Sequence, residues 1–169
     1  MRHAWMLTTA LTVALAAPAF AAPKLEGTFV HVSAESDSID KAIEQAVTKV
    51  NFLIRGIAHS RLKATNEPYG RITFDLAPKQ ITITMDDRKP IVTPASGQAI
   101  KWKREDGEVF DVSTRWVGES LEQTFSAEDG KRVNRFSLGP DGQKLTMKVT
   151  VSSGKLPQPL TYTLVYRRQ

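Results

Sequence analysis

From Arg71 to Arg168 apolar and polar residues alternate with a period of two, interrupted at short intervals by turn residues. Ile72, Phe74 and Leu76 alternate with Thr73 and Asp75. Ile81, Ile83 and Met85 alternate with Thr82 and Thr84, and Leu145, Met147, Val149 and Val151 with Thr146, Lys148 and Thr150. Successive side chains of a strand leave opposite faces of its sheet, so each run predicts a strand with one apolar and one polar face. Asp106-Gly107, Asp129-Gly130 and Asp141-Gly142 stand between such runs. Asp-Gly suits a tight hairpin because both central positions of the turn need a positive φ. Further strands are predicted at Ile91-Val92, Ala99 to Arg104, Val109 to Trp116, Ser120 to Phe125, Arg132 to Leu138 and Leu160 to Arg167. With Gly27 to Val32 at the start, the count is roughly ten. Consecutive hairpins make an antiparallel meander, and such a sheet removes its exposed edges by curling and closing. The expected fold is mainly β: an antiparallel up-and-down barrel or strongly curled meander sheet, with a helix or helix pair after the first strand. Its interior is either filled by side chains or encloses one ligand.

Between the first strand and the meander the period lengthens. Ile39, Ile43, Ala46, Val47, Val50, Leu53, Ile54 and Ile57 fall at helical spacing, with Lys41, Glu44, Gln45, Thr48 and Arg55 opposite. Ser36-Asp37-Ser38 supplies side-chain acceptors for the first helical N–H groups, and Pro68 and Gly70 end the stretch. This predicts a helical lid over about 38–64, its apolar stripe covering something apolar. Asn51 and Gly56 are poor interior helix residues, so either the helix breaks near Asn51 to Gly56 into two short helices or Phe52 projects outward. Phe52 lies off the stripe. It either packs beneath a loop or is a lid residue guarding an opening.

The first residues are an address. Met1-Arg2-His3 is a short basic start, and the apolar run from Ala4 to Ala16 is too short to span a bilayer. Ala19-Phe20-Ala21 places small residues where signal peptidase reads, which predicts a signal peptide over 1–21 cut after Ala21. The remaining 22–169 is one domain's worth of chain, expected in a bacterial periplasm or outside the cell. The sequence has no cysteine, which excludes a disulfide framework and an N-terminal lipidated cysteine. Its net charge of +5 is spread among acidic residues and not gathered into a stripe, so nucleic acid is not expected as a partner.

Leu25-Glu26-Gly27-Thr28-Phe29 resembles the opening Gly-x-Trp of the lipocalin and fatty-acid-binding-protein group of calycin-type barrels, with Phe29 in the Trp place. Trp116 to Leu138 resembles the late hairpins of that family, and Thr163-Leu164-Val165-Tyr166 its closing strand. The resemblance implies a barrel opened by one strand and a helical lid. It also implies an Arg-x-Tyr pair on the closing strand that holds a fatty-acid carboxylate. Here Tyr166 is in place, but Leu164 stands where the Arg belongs. The family's second inward Arg would fall near Phe136, and the adjacent Arg135 should face the other way. A missing clamp implies a more apolar interior and a neutral ligand.

Chemistry-bearing patterns are sparse. His31 and His59 have no companion at metal-ligand spacing, so neither a metal nor any other cofactor is expected. No Gly-x-Ser-x-Gly, cysteine nucleophile or phosphate loop is present, and Asp86-Asp87 and Glu105-Asp106 sit in turns. An enzyme is therefore not expected. Aromatic residues at alternating strand positions are the better candidates, because a small-ligand pocket is mostly apolar with few polar tips. The expected ligand-binding residues are Trp102, Phe110, Trp116, Phe136, Tyr162, Leu164 and Tyr166, with Gln123 as a polar anchor sharing a face with Leu121 and Phe125. They point to an exported, non-catalytic protein binding a small hydrophobic molecule inside its barrel. The alternative is an envelope scaffold with a filled barrel, working through protein or polymer contacts on its outer surface.

Overall fold

The computed structural model describes residues 25–169. The expected signal peptide and its cleavage site lie outside them. The chain forms β1 (Gly27–His31), α1 (Ile39–Val47), α2 (Phe52–Thr65), β2 (Arg71–Leu76), β3 (Gln80–Met85), β4 (Ile91–Pro94), β5 (Ile100–Lys103), β6 (Val109–Val117), β7 (Ser120–Ser126), β8 (Gly130–Leu138), β9 (Lys144–Ser153) and β10 (Leu160–Arg168). All ten strands belong to one antiparallel sheet in the order β4-β3-β2-β1-β10-β9-β8-β7-β6-β5. The first strand pairs with the last, Phe29 opposite Arg168 and His31 opposite Tyr166, so the meander curls into a nearly closed barrel.

The edge strands β4 and β5 meet through side chains instead of a hydrogen-bond ladder. Ile91 of β4 packs with Val112 and Phe125, and Ile100, Trp102 and Phe110 complete that small cluster. The connection between the two edges runs against β6. A Cβ at Gly97, where φ is +81°, would lie 3.3 Å from the Cβ of Arg115, so both the conformation and the close approach require glycine.

Period-two alternation sends Phe29, Ile72, Phe74, Ile81, Ile83, Leu121, Phe136, Leu145, Met147 and Leu164 inward, where all are buried. Three rings stack edge to face across the interior: Phe29 to Phe74 at 5.9 Å and Phe74 to Phe136 at 5.0 Å. Phe74 is on β2 and Phe136 on β8, with β1, β10 and β9 between them in the sheet. Their contact therefore joins opposite walls, and at this height side chains fill the barrel. The Arg168 guanidinium lies 4.6 Å over the Phe29 ring at the end away from the helices.

The helical stretch breaks in two, and the break falls at 48–51 and leaves Gly56 inside α2. Ser38 caps α1 by accepting from Lys41 N, and Asn51 caps α2 by accepting from Leu53 N at 3.0 Å. Arg55 reaches back to the carbonyls of Thr48 and Val50, satisfying the end of α1 and fixing the angle between the helices. The restart changes the helical phase. Ile43, Ala46, Val47 and Val50 are buried on the barrel, whereas Leu53, Ile54 and Ile57, expected on the same stripe, are exposed. Phe52 is 76% exposed in the first turn of α2, so it is not packed beneath a loop. Asn51→Ala should cost about 1 kcal/mol, read as a lower urea midpoint. An unchanged midpoint would assign the break to Arg55 alone.

Candidate functional site

One polar row crosses the inner wall. Thr114 on β6 lies directly opposite Gln123 on β7, which lies directly opposite Asn134 on β8. Alternation aims all three inward, one pleat from Trp116, Leu121 and Phe136, and each is fully buried. Thr114 Oγ1, both amide atoms of Gln123, Asn134 Nδ2 and the Tyr166 hydroxyl have no hydrogen-bond partner in the protein. Buried polar groups are nearly always paired, and leaving one unpaired costs roughly 1–3 kcal/mol.

The row continues through a cation. Asn134 Oδ1 accepts from Arg132 Nε at 2.9 Å. Arg132 also donates to the Thr65 carbonyl at 3.2 Å, to Asn66 Oδ1 at 3.1 Å and to the Tyr162 hydroxyl at 3.4 Å. The Tyr162 hydroxyl in turn donates to Asn66 Oδ1 at 3.0 Å, and Asn66 Nδ2 donates to the Leu62 carbonyl. Arg132 thus joins two inward side chains, Asn134 on β8 and Tyr162 on β10, to the end of α2, and each of its partners is neutral. Burial raises the pKa of Tyr162 above the ordinary phenol value, against the pull of Arg132. Burial raises that of Tyr166 further. Both remain neutral hydroxyls at physiological pH.

His31 stands beside this wall, its ring 5.3 Å from that of Tyr166. Its Nε2 lies 3.0 Å from Ser36 Oγ, which donates to the Val32 carbonyl and accepts from Val165 N. The single serine proton is already committed, so His31 Nε2 carries the hydrogen of this bond. A cleft of about 290 Å³ reaches from His31, Asp37 and Asp40 past Lys63 to Asn66 and Leu164. Burial lowers the His31 pKa below its ordinary 6.5. The unfolded chain then binds this proton at higher pH than the folded one, so stability should fall as pH drops through 6.5. His31→Gln should flatten that part of a stability–pH profile. An unchanged slope would place the titration elsewhere.

A nearly closed ten-strand barrel with two helices between its first two strands, its last strand returning beside its first, decides the architecture. The fold is that of the fatty-acid-binding barrels. Solved structures superpose over most of both chains. A "REP1-NXSQ fatty acid transporter" is 16% identical, with a TM-score of 0.55 over 86% of this chain and 96% of its own. A Schistosoma mansoni fatty acid binding protein in complex with arachidonic acid is 22% identical, with a TM-score of 0.53 over 88% and 98%. Echinococcus granulosus fatty-acid-binding protein 1 is 16% identical, with a TM-score of 0.53 over 85% and 96%. No protein-family model and no curated protein sequence matches the chain.

Within this fatty-acid-binding-type barrel the expected site residues separate into groups. Tyr162, Leu164, Tyr166, Phe136 and Gln123 are buried on the inner wall. Trp102 and Phe110 form an aromatic triangle with Phe125 at the β5–β6 edge, with centroids 5.7–6.2 Å apart. Trp116, inward by register, sits near the opposite end of β6 and is 36% exposed. Phe52 is outside the barrel. Leu164 is inward where the family resemblance implies an Arg, and Arg135 faces outward. Arg135 pairs with Glu122 at 2.8 Å beside Arg115, and the two guanidiniums hold the Glu122 carboxyl below the usual range.

The inward cation is Arg132, which the expectation of a missing clamp overlooked. Its signal was present in the alternation, since Arg132 and Asn134 precede Phe136 by four and two positions on one strand face. Thr114 was overlooked for the same reason, a polar residue counted as outward by type. Among the described residues no group of three or more His, Cys, Asp or Glu is placed to hold a metal ion, and no helix is long and apolar enough to cross a membrane.

Proposed function

We propose that this protein binds a small, mostly apolar molecule inside its barrel without chemically changing it. The observation that carries this is the buried row of Thr114, Gln123 and Asn134, whose hydroxyl and amide atoms, Asn134 Oδ1 apart, have no partner in the protein. A barrel evolved only as a packed scaffold gains stability by placing Val or Leu at such positions. The retained polar atoms fit an interior that receives a guest. The superposed fatty acid transporter and fatty-acid-binding proteins support the same function by analogy of fold.

The head group of the guest is assigned to the end near α2. There Arg132, Tyr162 and Asn66 converge, and the guanidinium has only neutral partners. Leu164, and Phe136 with Arg135 turned outward, argue for a neutral ligand, but Arg132 supplies from β8 the charge that those positions lack. An anionic head is therefore favoured over a neutral one. We assign the protein to the periplasm or the cell exterior on the basis of Met1 to Ala21.

A second function, contacts made through the outer surface, has one observation in its favour. Phe52, Leu53, Ile54 and Ile57 stand exposed together on α2. Titration with a fluorescent fatty-acid analogue separates the two. Interior binding predicts saturable, one-to-one binding with a blue-shifted emission that unlabelled fatty acid displaces. Absence of saturable binding would favour the outer surface.

A further inference from the structure

We propose that the interior recognises a second polar group on its ligand: a neutral hydroxyl or amide carried part-way along the apolar body and held by Thr114, Gln123 and Asn134. This rests on the interior-binding function above and specifies which molecules it prefers.

Three observations converge on it. The three residues are placed opposite one another across β6, β7 and β8, so their side chains meet at one level of one wall. Each is fully buried, and together they hold four polar atoms with no partner in the protein. Of the inward residues around the row, Val112, Leu121, Phe125, Phe136 and Val149 are apolar, and Arg132 meets the row only at Asn134 Oδ1. A short polar island in an apolar wall matches a short polar island in an apolar ligand.

The chemistry of the atoms narrows the class. Gln123 offers a donor and an acceptor, Asn134 offers a donor because its Oδ1 is already taken by Arg132, and the Thr114 hydroxyl can serve either way. A bare carbonyl or ether would satisfy the donors and leave the Gln123 oxygen unpaired. A carboxylate would set its charge against that oxygen, and its cation, Arg132, stands beyond Asn134 at the end near α2. A hydroxyl or secondary amide both donates and accepts, and so satisfies the set. Placement agrees: Gln123 lies one strand over and two residues along from the inward position of Arg132. That is about 8 Å along the wall. A head group at Arg132 and Tyr162, next to Asn134, therefore brings the body of a long chain, not its tip, to Gln123 and Thr114.

The test is calorimetric titration of the full mature chain with octadecanoic acid and with hydroxyoctadecanoic acids whose hydroxyl is moved stepwise from head to tail. The expected result is that the plain acid binds and one mid-chain isomer binds at least about tenfold more tightly. In Gln123→Leu that gain should vanish while the plain acid still binds and the unliganded variant resists urea at least as well. Thr114→Val, nearly equal in volume, is the second variant if Gln123→Leu does not fold, and should reduce the same gain. If the plain acid binds and every isomer binds no better, the interior-binding function stands and the mid-chain site is wrong. A gain that persists in both variants also overturns it. If neither plain nor hydroxylated acid binds, both fall together.

Discussion

Phe136→Ala should be among the most destabilising single substitutions in this protein, lowering stability by about 3–5 kcal/mol. Phe136 is fully buried, and its ring meets Phe74 edge to face at 5.0 Å, with Phe74 in turn on Phe29. Because Phe74 and Phe136 come from opposite walls, the loss is not confined to one hairpin. The truncation removes apolar area, opens a cavity and breaks the contact that ties β2 to β8. Chemical denaturation reads the effect directly. Phe136→Leu, which keeps most of the volume, should recover the larger part of it. A loss below about 1 kcal/mol for the alanine variant would mean that the walls do not depend on this stack.

Arg132→Met should weaken binding of octadecanoic acid roughly tenfold to a hundredfold while changing octadecanol binding little. A hydrogen bond to a charged group contributes about 1.5–3 kcal/mol, which sets that range. The comparison of acid with alcohol is essential, because Arg132 also ties β8 to the Thr65 carbonyl and Asn66 at the end of α2. A purely structural role lowers affinity for both ligands alike. Selective loss of the acid assigns the guanidinium to the head group. Tyr162→Phe should move the same way by a smaller factor, since it removes a neutral hydroxyl that lies 3.4 Å from Arg132.

Much of the fold is legible in the alternation because the sheet meets the core on one face only. Every shift of one residue would turn Ile81, Ile83 and Met85 outward, so the pattern and the structure agree closely along the strands. The helices are less legible. Helical spacing runs continuously from Ile39 to Ile57, but a cap at Asn51 and the Arg55 contacts restart the phase, and that geometry leaves no periodic trace. The residues after the break therefore look buried in sequence and are exposed in the structure.

The candidate site was legible by position and obscured by residue type. Aromatic residues were read as inward because apolar residues usually are. Thr114, Asn134 and Arg132 share the same alternation, yet their polarity suggests a solvated face. A polar residue in register with a buried partner is the informative exception, and here Thr114 and Asn134 flank Gln123, with Arg132 next along β8. The edge strands contribute a different lesson. Sequence predicts β4 and β5 as strands, but the two edges meet through the Ile91–Phe125 cluster, contacts distant in the chain. Trp102 and Phe110 are drawn into that closure and away from the polar row.

Native mass spectrometry of the mature protein recovered from its own host, followed by denaturing extraction, tests interior binding most directly. The account predicts a bound species heavier than the bare chain by one small molecule, released on unfolding and carrying a long apolar chain with a polar head. A bare-chain mass, together with no uptake of octadecanoic acid by the folded protein, would contradict it.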